Sequence, residues 1–180
     1  MNKILENKKE IIEYFEKGSK PKQFWKIGTE HEKFLYDLNT LEPIDYYGKN
    51  GIKSLFKLLK KKGWKEVIED KNPIALKNKG STISLEPRCQ IELSGGTVKS
   101  VHETCKQAKT YLDQLKTICT KKKLGILGMG YYPKNFKKNT GWVPKKRYSI
   151  MKKRMKMTGS HGLEMMSSTC SIQTNLDYAD

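Results

Sequence analysis

Four glutamates lie in three short segments in which polar and apolar residues alternate. Because the side chains of a β-strand point to alternate sides, Glu30 and Glu32 share one side of their strand. Glu86 and Glu92 each lie on the polar side of their own segments, TISLE and QIELS. If these two segments pair through the turn between them, Glu86 stands opposite Gln90 and Ser84 stands opposite Glu92. All four carboxylates are then candidates for one polar face of a sheet.

The chemistry that these side chains could support is the binding of a hard divalent cation. The chain has 36 Lys and Arg residues, so a solvated strand face is expected to carry Lys. The polar sides of these segments carry Glu, Gln, Ser, Thr and Asn instead. Mg²⁺ prefers oxygen ligands, usually shared with substrate phosphates. The simpler alternative is an antiparallel sheet with one face in water. His31 falls on the other side and is expected to be a packed or surface residue.

The elements that position these segments follow from hydrophobic periodicity and turn residues. Amphipathic helices are predicted at 4–17 and 51–62, and a third begins at a capping box formed by Ser100 and Glu103. The residues expected to face inward are Leu5, Ile12 and Phe15 in the first helix and Ile52, Leu55, Phe56 and Leu59 in the second. A short basic helix is predicted near 146–156. Strands are predicted at 24–35, 64–69, 73–77, 82–86, 90–94, 124–129 and 166–176, with turns at Lys71-Asn72 and Lys79-Gly80. The pattern indicates an α+β fold with an antiparallel sheet.

The cysteines do not form a recognisable metal or disulfide pattern, because no two of them have CxxC spacing. Cys105 and Cys119 lie on the apolar stripe of the third helix and are predicted to be buried and reduced. Cys89 lies in a turn and is the candidate for an exposed thiol.

The formal net charge of +17 raises the question of nucleic-acid binding. Only Arg88, Arg147 and Arg154 are arginines, whereas nucleic-acid readers favour the bidentate guanidinium. A nucleic-acid-binding module is therefore the weakest interpretation, and no nucleic-acid partner is expected. No apolar stretch approaches the roughly 20 residues of a membrane span, so no membrane partner is expected either. The first residues, MNKILENKKEIIEYF, resemble neither a signal nor a transit peptide, which predicts a cytoplasmic location.

Two segments that carry the glutamates also resemble a known family. Residues 27–34, IGTEHEKF, resemble the first strand of glutamate–cysteine ligase, in the branch found in plants and many bacteria. Residues 84–95, SLEPRCQIELSG, resemble that family's SLEPGGQFELSG segment. Further similar segments follow in the family's order: LGMG at 127–130, Pro144-Lys145, Arg147-Tyr148, Ile150-Met151, Gly162-Leu163, Met165-Met166 and TCSIQTNLD at 169–177. The resemblance therefore covers nearly the whole chain.

The resemblance implies a fold, a set of ligands and a set of site residues. The fold would be like that of glutamine synthetase, an antiparallel sheet curved into a funnel with helices on its outer face. The small-molecule partners would be ATP, L-glutamate and L-cysteine, with Mg²⁺ or Mn²⁺ as cofactor, and the product γ-glutamylcysteine, formed through an acyl phosphate. The implied metal ligands are Glu30, Glu32, Glu86 and Glu92. The implied substrate-binding residues are Arg147, Gln90, Gln173 and Asn175.

The chain also departs from the family. Arg88-Cys89 stands where the family has Gly-Gly, and Lys146 replaces the Gly before Arg147. Family members are much longer, so residues 1–180 are expected to be the N-terminal part of a single carboxylate–amine ligase domain, with an incomplete sheet. Two alternatives remain open: a related ligase that uses another amine, and a fragment without catalysis. The oligomeric state is left open as well.

Overall fold

The computed structural model describes residue 4 and residues 6–134 and 141–179. These residues form five α-helices and seven β-strands, which confirms the α+β class. The helices are α1 Lys8–Glu16, α2 Ile52–Lys60, α3 Val101–Lys122, α4 Lys146–Thr158 and α5 Gly162–Ser168. The strands are β1 Ile27–Asp37, β2 Lys65–Glu69, β3 Asn72–Asn78, β4 Ser81–Leu85, β5 Ile91–Ser94, β6 Leu124–Leu127 and β7 Ile172–Leu176.

One antiparallel sheet contains all seven strands, in the order β2-β3-β4-β5-β1-β6, with β7 also paired to β1. Strand β1 is the organising element because it has neighbours on both edges. Glu30 pairs with Ser94 of β5 on one edge and with Gln173 of β7 on the other. Strand β6 pairs with the later half of β1, from Phe34 to Asp37. The predicted antiparallel sheet is confirmed.

Two tight hairpins set the register of the outer strands. Asp70 and Lys71 connect β2 to β3, and Lys79 and Gly80 connect β3 to β4. All four residues have positive φ. Two-residue loops with positive φ at both positions match the right-handed twist of the flanking strands. The sequence predicted the second turn at these residues and placed the first one residue too late.

The main core lies between one face of the sheet and helices α2 and α3. Helix α2 buries Ile52, Leu55, Phe56 and Leu59, the face that its periodicity predicted. These side chains pack in one cluster with Ile83, Leu85, Ile91 and Leu93 of the sheet. Each side chain of this size contributes about 1.5–3 kcal/mol by leaving water. The two faces of the sheet therefore differ, since the glutamates alternate with these apolar residues.

Helix α3 begins as predicted but is rotated from the predicted orientation. The Ser100 and Glu103 capping box is present. The buried residues of the helix are Thr104, Tyr111, Leu115, Ile118 and Cys119. Cys105 is exposed, so its predicted burial is wrong, whereas that of Cys119 is confirmed. Tyr111 packs in the main core cluster, whereas Val101 and Cys105, in the first part of the predicted stripe, are exposed.

The prediction that Cys89 is an exposed thiol is wrong, because another segment of the chain covers the turn before β5. Cys89 is buried, with a positive φ of 69°. Its Sγ donates a hydrogen bond to the Gly141 carbonyl oxygen at 3.0 Å, and the Val143 amide donates to the Pro87 carbonyl at 3.0 Å. Burial raises the pKa of the Cys89 thiol. A segment more than 50 residues away in sequence thus covers the turn.

Both ends of the chain differ from their predicted patterns. Residues 166–176 are not one strand, because α5 runs to Ser168 and β7 begins only at Ile172. Helix α1 buries none of its residues: Ile12 and Phe15, predicted to face inward, are exposed, and Leu5 lies outside the described residues. The apolar stripe of α1 therefore has no cover within the part of the chain that the structure describes.

Candidate metal and substrate site

The strand register places the four glutamates on one face of the sheet, opposite the main core. Glu32 of β1 pairs directly with Glu92 of β5, and Ser84 of β4 pairs with Glu92 on its other edge. The Glu86 amide donates to the Gln90 carbonyl at 2.9 Å. The two predicted pairings, Ser84 with Glu92 and Glu86 with Gln90, are confirmed. Side chains at directly paired positions share a face, so these carboxylates point to the same side.

The electrostatics of Glu86 indicate that the carboxylates interact. Burial of Glu86, and then the negative charges of Glu92 and Glu32, raise its pKa to about 7. Glu92 is itself buried, and its Oε1 accepts a hydrogen bond from Ser94 Oγ at 2.6 Å. Like charges that face each other across strands are destabilising. A bound cation would remove this repulsion.

Hydrogen bonds from β7, and from Ser171 directly before it, hold the side chains of the two glutamates of β1. Glu32 accepts hydrogen bonds from the Ser171 amide at 2.8 Å and from Ser171 Oγ at 3.0 Å. Glu30 Oε1 accepts one from Asn175 Nδ2 at 3.0 Å. Gln173, which pairs with Glu30, donates to Ser171 Oγ at 3.0 Å. The polar residues of β7 thus lie beside the carboxylates.

The side chain of Gln90, a predicted substrate-binding residue, makes its hydrogen bonds to the backbone of the protein. Its side chain is buried, and its Oε1 accepts a hydrogen bond from the Arg88 amide at 2.9 Å. Its Nε2 donates to the Met166 and Thr169 carbonyls at 3.3 and 3.0 Å. Both ends of the amide are occupied by backbone groups. Gln90 therefore ties the start of β5 to the end of α5.

Arg147 lies beside the carboxylates from the start of α4. Its guanidinium is 3.9 Å from Glu86 Oε1 and donates a hydrogen bond to the Tyr148 hydroxyl at 3.0 Å. The Tyr148 hydroxyl in turn donates to the Leu85 carbonyl. These contacts hold the positive charge of Arg147 next to Glu86, the residue that directly follows β4.

Lys145 is a site residue that the sequence did not single out. It is buried, and its Nζ donates to the Leu85 carbonyl at 2.6 Å. Burial and the nearby Arg147 lower its pKa to about 8, while Glu86 and Glu92 act in the opposite direction. The only sequence signal was its place in the Pro144-Lys145 segment. In a chain this rich in lysine, nothing marks one lysine as buried.

The residues on this face fit a divalent cation in donor type and in charge. Four carboxylates share the face, and burial together with the charges of Glu92 and Glu32 raises the pKa of Glu86. They have not converged to a coordination geometry, however. Within residues 6–134 and 141–179, no group of three or more His, Cys, Asp or Glu side chains is arranged to hold a metal ion. Coordination would require movement of the glutamate side chains that Ser94, Ser171 and Asn175 now hold.

Residues 26–180 match the model of glutamate–cysteine ligase family 2. The chain belongs to this family. The matched residues include the segments that carry the glutamates. Separately, no helix in the described part of the chain has the length and apolar character needed to cross a membrane.

Plant members of glutamate–cysteine ligase family 2 are similar along almost all of the chain. It is 42% identical over 176 residues to the chloroplastic glutamate–cysteine ligase of Medicago truncatula, covering 96% of this chain and 34% of that protein. It is 40% identical over 173 residues to the Brassica juncea enzyme, again 96% of this chain and 33% of the relative. The chain thus spans about a third of the length of the curated relatives it matches.

The predicted cytoplasmic location is wrong when judged by these relatives of the family. The proteins from Medicago truncatula, Oryza sativa and Brassica juncea are all named as chloroplastic. The prediction rested on the composition of the first 15 or so residues. The composition of these residues does not determine the compartment, and the chain matches only about a third of each relative.

Proposed function

We propose that residues 1–180 are the N-terminal part of a single carboxylate–amine ligase domain that makes γ-glutamylcysteine, the first step of glutathione biosynthesis. The observation that carries this proposal is the face of four glutamates on paired strands, in segments that match the family. The sheet would be the first part of a funnel like that of glutamine synthetase, and strands from the rest of the domain would complete it. By itself the chain would be catalytically incomplete.

The proposed reaction has two steps. The side-chain carboxylate of L-glutamate attacks the γ-phosphorus of ATP, so that an acyl phosphate forms and ADP leaves. The amine of L-cysteine then attacks the acyl carbon, the amide forms and phosphate leaves. Mg²⁺ or Mn²⁺, when bound, would offset the negative charge of the phosphates and of the glutamate carboxylate.

The carboxylate face would hold the cation. Glu30 and Glu32 offer oxygens from β1, Glu92 from β5 and Glu86 from the turn after β4. The raised pKa of Glu86 supports this role, because burial and the charges of Glu92 and Glu32 disfavour its ionised form, which a bound cation would stabilise. Carboxylate oxygens are also the ligands that both cations accept.

The positive and amide groups around the face would bind and orient substrate. Arg147, exposed and next to Glu86, is placed to contact a substrate carboxylate or phosphate. Gln173 and Asn175 present amides beside Glu30. Gln90 and Lys145 would act as positioning residues. Lys145 Nζ donates to the Leu85 carbonyl, directly before Glu86, and Gln90 Nε2 donates to the Met166 carbonyl of α5.

A chimaera tests the proposal directly. In it, this chain replaces the matching third of the Medicago truncatula relative, and formation of γ-glutamylcysteine from ATP, L-glutamate and L-cysteine is measured. We expect activity in the chimaera and a loss of about 10²-fold or more in Glu92→Gln, because charge stabilisation dominates phosphoryl transfer. Glu16→Gln, on the exposed part of α1, is the matched control and should remain active. A folded chimaera in which both variants equal the parent would contradict the roles assigned to these glutamates.

A further inference from the structure

Three lysines cluster at the outer strands of the sheet, away from the glutamates. Lys65 of β2 and Lys77 of β3 are directly paired, so their side chains share a face. Lys79 lies in the hairpin turn that follows β3. Like charges at directly opposed positions destabilise a strand pair. This position therefore favours an anion that neutralises the lysines.

The acidic side chains of β2 and of the turn after it do not supply that anion. Glu66 pairs with Lys60 at 2.7 Å. Glu69 accepts a hydrogen bond from the Lys146 amide at 2.6 Å, and Asp70 pairs with the Lys146 ammonium at 3.4 Å. Within the described residues, no carboxylate lies within 4.0 Å of the ammonium groups of Lys65, Lys77 or Lys79. Within that part of the chain, no carboxylate therefore pairs with these three lysines.

The lysines line an open pocket of about 510 Å³. Its remaining wall consists of small and polar residues: Gly63, Asn78, Gly80, Ser81 and Thr82. Gly63 and Gly80 have no side chains to fill the pocket, and the hydroxyls of Ser81 and Thr82 can donate hydrogen bonds. Ammonium and hydroxyl donors that line one pocket suit the oxygens of a phosphate group.

Lys65, Lys77 and Thr82 of the pocket lie on the same face as the glutamates but at a distance from them. Lys77 pairs with Thr82, Thr82 with Ser94, and Ser94 with Glu30. Three strand spacings separate Lys77 from Glu30, which is about 14 Å at the usual spacing between strands. The lysine pocket is therefore a separate feature of this face, with the opposite charge.

We propose that Lys65, Lys77 and Lys79 form a binding site for small phosphate-bearing anions. The shared chemistry is a phosphate or diphosphate group, free or carried by a nucleotide. The site requires no divalent cation, because the lysines supply the positive charge. It goes beyond the proposed ligase function and does not depend on it, since neither the glutamates nor turnover is involved.

The test uses the 180-residue chain, titrated with inorganic pyrophosphate in EDTA at constant ionic strength. Binding is followed by calorimetry in the parent, Lys65→Gln, Lys77→Gln and the control Lys57→Gln, which removes an exposed charge from α2. We expect Lys65→Gln and Lys77→Gln to weaken binding about tenfold each, as for the loss of one charged contact. Lys57→Gln should change it less than twofold. Parallel titrations with phosphate and ADP distinguish free anions from a nucleotide as the source.

The net charge of +17 provides the competing explanation. If Lys57→Gln weakens binding as much as Lys77→Gln, the anion is attracted by the overall charge and the proposal is wrong. Absence of binding in the parent at millimolar pyrophosphate would also overturn it. Folding is not at risk in these variants, because Lys65→Gln and Lys77→Gln remove a repulsion between paired strands, and Lys57→Gln changes an exposed side chain of α2. A loss of chimaera activity with intact pyrophosphate binding would count against the ligase proposal alone.

Discussion

Glu32 and Glu92 occupy directly opposed positions on β1 and β5, so two carboxylates face each other across the centre of the sheet. The remaining neighbours of the pair are polar: Ser84 pairs with Glu92, and Ser171 donates two hydrogen bonds to Glu32. A stability-driven sheet would place opposite charges or apolar groups here. The arrangement costs folding free energy, as is typical of positions kept for binding.

The raised pKa of Glu86 predicts a dependence of stability on pH. Its pKa is about 7 in the folded chain, against 4.5 for an unperturbed glutamate. The folded state therefore binds the proton more tightly, and stability falls as pH rises from about 4.5 to 7. Glu86→Gln removes this loss, so the variant should be more stable than the parent at pH 7.5 by about 1–3 kcal/mol, and close to it at pH 4.

Urea unfolding of the parent and of Glu86→Gln from pH 4 to 8 measures this difference. Glu16→Gln, on the exposed side of α1, is the control and should follow the parent at every pH. Parallel curves for the parent and Glu86→Gln across the range would show that Glu86 is not crowded in solution.

Metal binding is expected in the 180-residue chain itself, although weak. Mn²⁺, followed by its electron paramagnetic resonance signal, should bind the parent more tightly than Glu32→Gln or Glu92→Gln by about tenfold or more, since each variant removes one charged ligand. Glu16→Gln should bind like the parent. Equal affinity in all four proteins would mean that Mn²⁺ does not use this face.

Thiol reactivity should separate the four cysteines. Burial raises the pKa of Cys119 to about 11 and raises the pKa values of Cys89 and Cys170 further. At pH 7.5 these thiols are almost wholly protonated and shielded, whereas Cys105 is exposed. Because the thiolate is the nucleophile, one equivalent of a thiol reagent should react fast, and four in denaturant. Retention of the fast phase in Cys105→Ser would contradict this assignment.

Turnover by the 180-residue chain alone should be absent or very slow. With ATP, Mg²⁺, L-glutamate and L-cysteine, phosphate release should remain far below about 1 s⁻¹, a low value for an ordinary enzyme. The reason is that positioning and charge stabilisation of the phosphates need groups beyond one carboxylate face. Release at ordinary enzyme rates would show that this third of the family's length is sufficient.

The sequence by itself determined the features that depend on residues close together in the chain. The alternation of polar and apolar residues placed Glu32 and Glu92 on one side of their strands, and the capping box set the start of α3 at Ser100. The apolar face of α2 followed from its spacing as well. Strand parity and helix caps depend on residues only a few positions apart, so they can be read from the chain itself.

Tertiary structure decided which side chains are buried and which charges meet. The loop near Gly141 covers Cys89, and rotation of α3 exposes Cys105. Lys145 is buried against the Leu85 carbonyl, 60 positions away in sequence, and Lys65 meets Lys77 only through the register of a hairpin. Burial and charge proximity depend on contacts between distant segments, and a pattern that spans a few residues does not contain that information.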